Sequence, residues 1–481
     1  MNEQTRLSRF EQDENLVVMK FGGTSVEDTA AVQRLIAIVE RRLGSQPVIV
    51  VSALAKVTDQ LHAAGSSAAS GRLGSALATV RDIYVRHEQL ADSLVGESAY
   101  GTLDRQLRDD FRALESLLLE LDACRELNSA AQDRLLSFGE CFSSRLVSEA
   151  LCEAGVPASH VEARRCIVTD AKHGQANPLW EVTNQKVREA IIPLLEGGRV
   201  PTLGGFIAST LYGVPTTLGR GGSDFTASIV GAALGATRVE IWTDVDGVMT
   251  ADPKVCADAR VIRRMSFDEA AALAHFGAKV LHPATLAPAM RENIPVHVLN
   301  SRKPESAGTE IVAHVATANR VSAITAKRNV AAVEIKLAAG MDSASLNDVF
   351  TVFQRHGCAV DLMGTSLGRI SLLIGLPAAL PEIAADLTGI AEVHWENHRA
   401  MVCLVGENIR RQPDIASRVF AAVSDMDVQV LCQGASDRTI SFLVEEAKVE
   451  ESVRRLHGLF FSRAEPVRDW GGISTAFCQA G

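Results

Sequence analysis

Lys20 closes the apolar run Val17-Val18-Met19 and is followed by Phe21, Gly22, Gly23, Thr24 and Ser25. A lysine at a strand end, a flexible turn and a helix start together make an anion-binding pattern. Backbone N–H groups of the turn face phosphate oxygens, and the helix N-terminus favours their charge. This is not a Walker loop, because the lysine precedes the glycines. The stretch TTLGRGGSDFTA, 216–227, sets Arg220 among Gly219, Gly221 and Gly222. Packing gives an arginine little reason to stand there, whereas its planar fork suits a carboxylate or a phosphate. Ser223 and Asp224 follow at a helix start, where Asp224 also reads as an ordinary cap.

In WTDVDGVMTADP, 242–253, a strand ends at Thr243 and turns through Asp244, Asp246 and Gly247. The DxDG opening lacks the later oxygen ligands of an EF-hand. A loop at the carboxyl edge of a sheet can instead hold a nucleotide, although the acids also serve as turn formers. Glu140 follows Gly139 in SFGE and, taken alone, reads as a solvated helix charge. A lysine at one anion loop with Arg and Asp at another suits phosphoryl transfer to an acidic acceptor. That chemistry needs positive charge around the moving group more than a strong base, since a carboxylate is already ionised at neutral pH.

Elements must bring these loops together. Leu16 to Met19 predicts a strand, and Ser25 with Asp28 has the form of a capping box opening a helix through Ala31, Leu35, Ile38 and Val39. VIVVSA after Pro47 reads as a buried parallel strand. Residues 60–155 read as several helices. Strands are expected at 163–168, 199–203, 238–243 and 296–299, and a helix at 266–276. An α/β domain over 16–317 follows, after a polar tail at 1–15. Beyond it, VFTVFQRHGCAVDLMGTSLGRISLLI (349–374) aligns without a gap on VFAAVSDMDVQVLCQGASDRTISFLV (419–444), 70 residues later. Two tandem α+β modules are expected, near 335–400 and 401–465.

The 481 residues are 47% apolar and 22% charged, with a net charge of -10. This is a globular composition that disfavours a nucleic-acid surface. Nine cysteines stand singly without CxxC, so neither a disulfide frame nor a zinc site is expected. No metal-ligand spacing occurs elsewhere. No run reaches the ~20 apolar residues that span a bilayer. The first residues carry acids and resemble no targeting peptide, so a cytoplasmic location is expected.

VMKFGGTSV, FGE, TLGRGGSDFTA, WTDVDGVMTADP and FGAKVLHPAT, in this order, resemble the aspartate kinase family over roughly residues 16–465, and the repeat resembles its paired ACT domains. The long helical stretch before SFGE is similar to the lysine-sensitive, homo-oligomeric branch. The resemblance implies an amino-acid kinase fold, a parallel-sheet core with helices on both faces, and ATP-dependent phosphorylation of L-aspartate. It implies that Lys20 neutralises the transferring phosphoryl group and that Asp224 organises the catalytic lysines. Arg220 would clamp the α-carboxylate and Glu140 receive the ammonium group, with Thr58, Ser52 and Ser223 near the substrate. Gly22, Gly23, Thr24, Ser25, Gly221 and Gly222 would form phosphate loops. Thr243, Asp244 and Lys279 match nucleotide contacts, with Mg2+ carried by the nucleotide.

Val168 replaces an arginine of the family pattern and is expected to alter the substrate pocket, while Thr169 and Gly174 persist. GGFIA carries Gly204 and Ala208 at changed positions, and Met249 replaces a tyrosine. In the first module the resemblance places effector positions at Ser345, Leu346, Val360, Asp361, Ser366 and Leu367. Ala344-Ser345 stands for Gly-Phe and Leu367 for a glutamate, which weakens the case for lysine feedback. The modules would then serve a homodimer or homotetramer, or bind another amino acid, or none. A kinase of another acidic amino acid and a silent amino-acid sensor are the rival readings. Retention of Lys20, Arg220, Asp224 and Glu140 argues against the sensor.

Overall fold

The computed structural model describes residues 15–278, 283–315, 321–337, 342–366, 368–375, 379–429, 431–433 and 437–462. The chain divides into two units. The first comprises 1–249 and 261–318, the second 250–260 and 319–481.

The first unit is built on β1 (Val17–Phe21), β2 (Pro47–Val51), β3 (Ala158–Val161), β4 (Val168–Thr169) and β5 (Val200–Gly204). It continues with β6 (Ile207–Thr210), β7 (Pro215–Thr217), β8 (Arg238–Thr243), β9 (Arg264–Ser266), β10 (Val296–Asn300) and β11 (Thr309–Val312). Eight of them form one sheet in the order β3-β5-β2-β1-β8-β10-β11-β9. All its pairings are parallel except β10 with β11. β1 and β2 are buried at every position, which is why they read as unbroken apolar runs rather than alternating ones. A three-stranded sheet, β4-β6-β7, stands apart.

Local chemistry sets the helix starts. The first long helix, Thr29–Glu40, begins later than the capping box predicts. Asp28 caps it by accepting from Ala31 N at 2.7 Å, while Gly23–Ser25 forms a separate short turn. Ser25 is instead buried, its hydroxyl donating to Ser301 Oγ at 2.8 Å. The helical stretch resolves into Val57–Ala69, Leu73–Leu94, Glu97–Cys124 and Ser129–Glu153. These pack into one core with β1, β2 and Trp242. The strand expected at 163–168 lies earlier, as β3, and Ala163–Cys166 is a single helical turn. Glu162 accounts for the shift, because its carboxylate accepts from Arg164 N and starts that turn. The helix Phe267–His275 carries a capping box between Ser266 and Glu269.

In the second unit, β12 (Val321–Leu337) and β15 (Ala391–Gly406) are long strands paired along their length. With β13 (Val360–Ser366), β14 (Arg369–Gly375), β16 (Leu431–Gln433) and β17 (Thr439–Glu445) they make a six-stranded sheet, β13-β14-β12-β15-β17-β16. The two halves carry separate cores. Val333, Ile335 and Ile370 pack with Val349 and Phe353 in one, and Ile324, Leu404 and Phe442 with Val419 and Leu456 in the other. The second module therefore borrows residues 321–327, which precede the first module in sequence, so the two are interleaved rather than simply consecutive. Residues 250–260 also fold here. Thr250 O accepts from Ile324 N, Thr250 Oγ1 meets His457 Nε2 at 3.0 Å, and Ala251 and Cys256 enter the core. No described helix is long and apolar enough to cross a membrane.

Candidate active site

Lys20 sits on β1, in the middle of the parallel sheet, opposite Val50 on β2 and Ile241 on β8. Its side chain leaves the sheet at the carboxyl end and is 11% exposed. The Lys20 Nζ lies 2.7 Å from Asp224 Oδ1, in the first turn of the helix Gly222–Leu234. Asp224 is thus no cap. Gly221 occupies that place with φ +72, a left-handed conformation suited to glycine. The first glycine turn is fixed by Gly22 N donating to Trp242 O and by Ala55 N donating to Gly23 O. A Cβ at Gly23 would stand 2.9 Å from Ala53 O, so only glycine allows these loops to approach so closely. Beneath the turn Phe21 and Trp242 stack, both fully buried.

Glu140 lies inside the helix Ser129–Glu153 and is 3% exposed, not a solvated helix charge. Its Oε1 accepts from Ala53 N at 3.2 Å, while its Oε2 is buried without a partner among the described residues. Burial pushes its carboxyl up to about 8, against the Ala53 N–H and the Lys20 charge, which favour ionisation. A cationic group arriving at Oε2 would complete it.

These side chains share one cleft of about 370 Å³. Lys20, Gly23, Ser52, Thr58 and Glu140 line one part of it, and Gly221, Gly222, Ser223 and Asp224 another. Arg220 is exposed between lining glycines and does not itself line the cleft. Gly22 borders Lys20, but Gly22, Thr24 and Ser25 do not line the cleft, and the Ser25 hydroxyl is taken up by Ser301. Thr243 and Asp244 lie outside this cleft, at the end of β8. There Ser301 N donates to Thr243 O, and the Thr243 hydroxyl donates to Asp244 Oδ1. Lys279 lies outside the described residues. Val168 is fully buried on β4, its N–H held by Thr183 Oγ1, and does not itself line the cleft.

Three residues escaped the sequence reading. Lys56 and Phe206 both line the cleft with left-handed backbones, φ +72 and +63. The lysine of VSALAKVTD was the available signal, but nothing in the sequence reveals a positive φ. Asp133, 1% exposed, accepts from His173 Nδ1, Gly174 N and Thr217 Oγ1. It thereby ties the Glu140 helix to the strand leading into the Arg220 turn.

In the second unit four of the six predicted effector residues have structural partners. Ser345 N is capped by Asp342, and Leu346 and Val360 pack on the module core. Asp361, 9% exposed in its side chain, is held at 2.6 Å by Lys327. Ser366 ends β13, and Leu367 lies outside the described residues.

The parallel sheet, two glycine turns and a buried lysine–aspartate pair define a small-molecule kinase. Residues 15–300 match the model of the amino acid kinase family, and 402–460 match an ACT domain. "Lysine-sensitive aspartokinase 3" of Escherichia coli is 33% identical, over 93% of this chain and 99% of its own. "Aspartokinase 3, chloroplastic" of Arabidopsis thaliana is 34% identical over 92% of this chain and 81% of its own. The crystal structure of E. coli aspartokinase III in complex with aspartate and ADP (R-state) superposes with a TM-score of 0.83. It is 32% identical, and the match covers 93% of this chain and 100% of that one. The same enzyme in complex with lysine and aspartate (T-state) gives 0.78 at the same coverage. The chain belongs to the aspartokinase branch of the amino acid kinase family.

Proposed function

We propose that the chain transfers the γ-phosphoryl group of ATP to the β-carboxylate of L-aspartate, giving ADP and 4-phospho-L-aspartate, the first step toward lysine, threonine and methionine. One observation carries this reading: the Lys20–Asp224 pair and buried Glu140, whose Oε2 has no partner among the described residues, face the same cleft. The β-carboxylate is ionised at neutral pH and needs no base. Its oxygen attacks the γ-phosphorus while the bond to the ADP oxygen breaks. Lys20 supplies positive charge to the moving oxygens, and Asp224 fixes its ammonium group. The N–H groups at the start of Gly222–Leu234 receive phosphoryl oxygens. Glu140 takes the substrate ammonium and Arg220 the α-carboxylate, with Ser52, Thr58 and Ser223 alongside. Gly22 and Gly23 shape the phosphate turn that Thr24 and Ser25 close. Thr243, Asp244 and Lys279 hold the nucleotide.

Among the described residues no three His, Cys, Asp or Glu side chains converge as metal ligands. Mg2+ would be carried by the nucleotide. Bound there, it would offset phosphate charge.

The paired modules serve homodimer or homotetramer assembly and bind an amino-acid effector, L-lysine or another, near Ser345, Leu346, Val360, Asp361, Ser366 and Leu367. The test is ATP- and Mg2+-dependent conversion of aspartate, trapped as the hydroxamate, with and without lysine. A folded, ATP-binding protein that does not turn over aspartate overturns the kinase reading. Turnover indifferent to lysine leaves the kinase and removes lysine as the effector.

A further inference from the structure

Lys56 opens the helix Val57–Ala69 in a left-handed conformation, φ +72 and ψ -8. A residue with a side chain pays strain there that glycine avoids, and such outliers gather where function requires them. Nothing in the local packing explains it, since the side chain is exposed and makes no ion pair among the described residues. It nevertheless lines the cleft that holds Lys20, Asp224 and Glu140.

Charge makes the case stronger. The ionisable lining residues are Lys20 and Lys56 against Asp59, Glu140 and Asp224. Lys20 is engaged by Asp224 at 2.7 Å. Lys56 is therefore the lining cation that no carboxylate holds among the described residues. Both proposed substrates, a nucleoside triphosphate and a dicarboxylic amino acid, are anionic. Beside Lys20, a second lining cation would offset charge on the transferring group.

We infer that Lys56 is a further catalytic residue, whose ammonium group binds an anionic oxygen of the phosphoryl group in transit beside Lys20. The inference rests on the kinase reading above. Wild-type turnover of aspartate is therefore measured first, and its absence counts against that reading alone. The variants are Lys56→Gly, Lys56→Gln and Lys56→Arg. Glycine relieves the backbone, so Lys56→Gly should melt at or above the wild-type temperature while kcat/KM for ATP falls roughly 10- to 100-fold. Lys56→Gln should lose a similar factor, mainly in kcat, and Lys56→Arg should recover most of it. Activity within twofold of wild type in both the Gly and Gln variants overturns the inference. So does loss confined to a variant whose melting temperature has dropped, which would mark Lys56 as structural.

Discussion

Lys20 Nζ stands 2.7 Å from Asp224 Oδ1, joining the central strand of the sheet to the first turn of a helix more than 200 residues further along the chain. Both side chains are largely shielded from water, so each is the other's main compensation. Removing one strands a buried charge, which costs more than the pair contributes. Lys20→Ala should cut aspartate-dependent ADP formation by about three orders of magnitude. Lys20→Ala combined with Asp224→Ala should be little worse than Lys20→Ala alone, because the two act as a unit. Additive losses in a double-mutant cycle would contradict that.

The Glu140 carboxyl, pushed by burial up to about 8, gives a pH prediction of defined sign. Its folded value lies above the ordinary carboxylate value, so the folded state binds the extra proton. The stability this proton confers is present at low pH and is lost as pH rises from the ordinary range toward 8. Glu140→Gln keeps the shape without the ionisation. Its melting temperature should gain on wild type between about pH 5 and about pH 8. Aspartate binding near pH 7 should release close to one proton, read by calorimetry in buffers of different ionisation heat.

Arg220 makes no hydrogen bond or ion pair among the described residues and is exposed. Arg220→Ala should therefore leave the melting temperature unchanged. It should raise KM for aspartate roughly 10- to 100-fold, the scale of one lost charge-assisted bidentate contact. Unchanged aspartate dependence would remove Arg220 from the substrate site.

Asp133 offers the opposite balance. Its carboxylate, 1% exposed, accepts from two backbone or hydroxyl donors and one histidine ring. Asp133→Ala should cost about 3 kcal/mol in denaturant unfolding, since buried donors lose their acceptor. It should also raise KM for aspartate through the displaced Arg220 turn. A stable variant with normal KM would show that Asp133 does not position that turn.

The parts legible in sequence are those written in short-range patterns. The glycine turns at Gly22-Gly23 and Gly221-Gly222 declare themselves by composition, and β1 and β2 by unbroken apolar runs. The repeat foretold matched strands, since β14 and β17 begin 70 residues apart. What failed depends on distant partners. Ser25 resembled a cap because Ser301, its actual partner, lies far along the chain. Glu140 looked solvated because Ser129–Glu153 is buried on nearly every side in its middle turns and shows little amphipathic contrast. The borrowing of residues 321–327 by the second module is a pairing register, which no local pattern encodes.

The excursion of residues 250–260 bears on how the chain can be cut. Expressing residues 1–318 alone is the obvious way to isolate the kinase unit. Such a fragment would keep Ala251, Val255 and Cys256 but lack Leu404, Phe442 and Leu456, the surfaces against which this segment packs. It would also leave Thr250 without His457. Along the chain the two units are braided rather than consecutive. A shuffling experiment that swaps regulatory halves must exchange 250–260 together with everything after 318, or carry an orphaned sticky loop into the chimera.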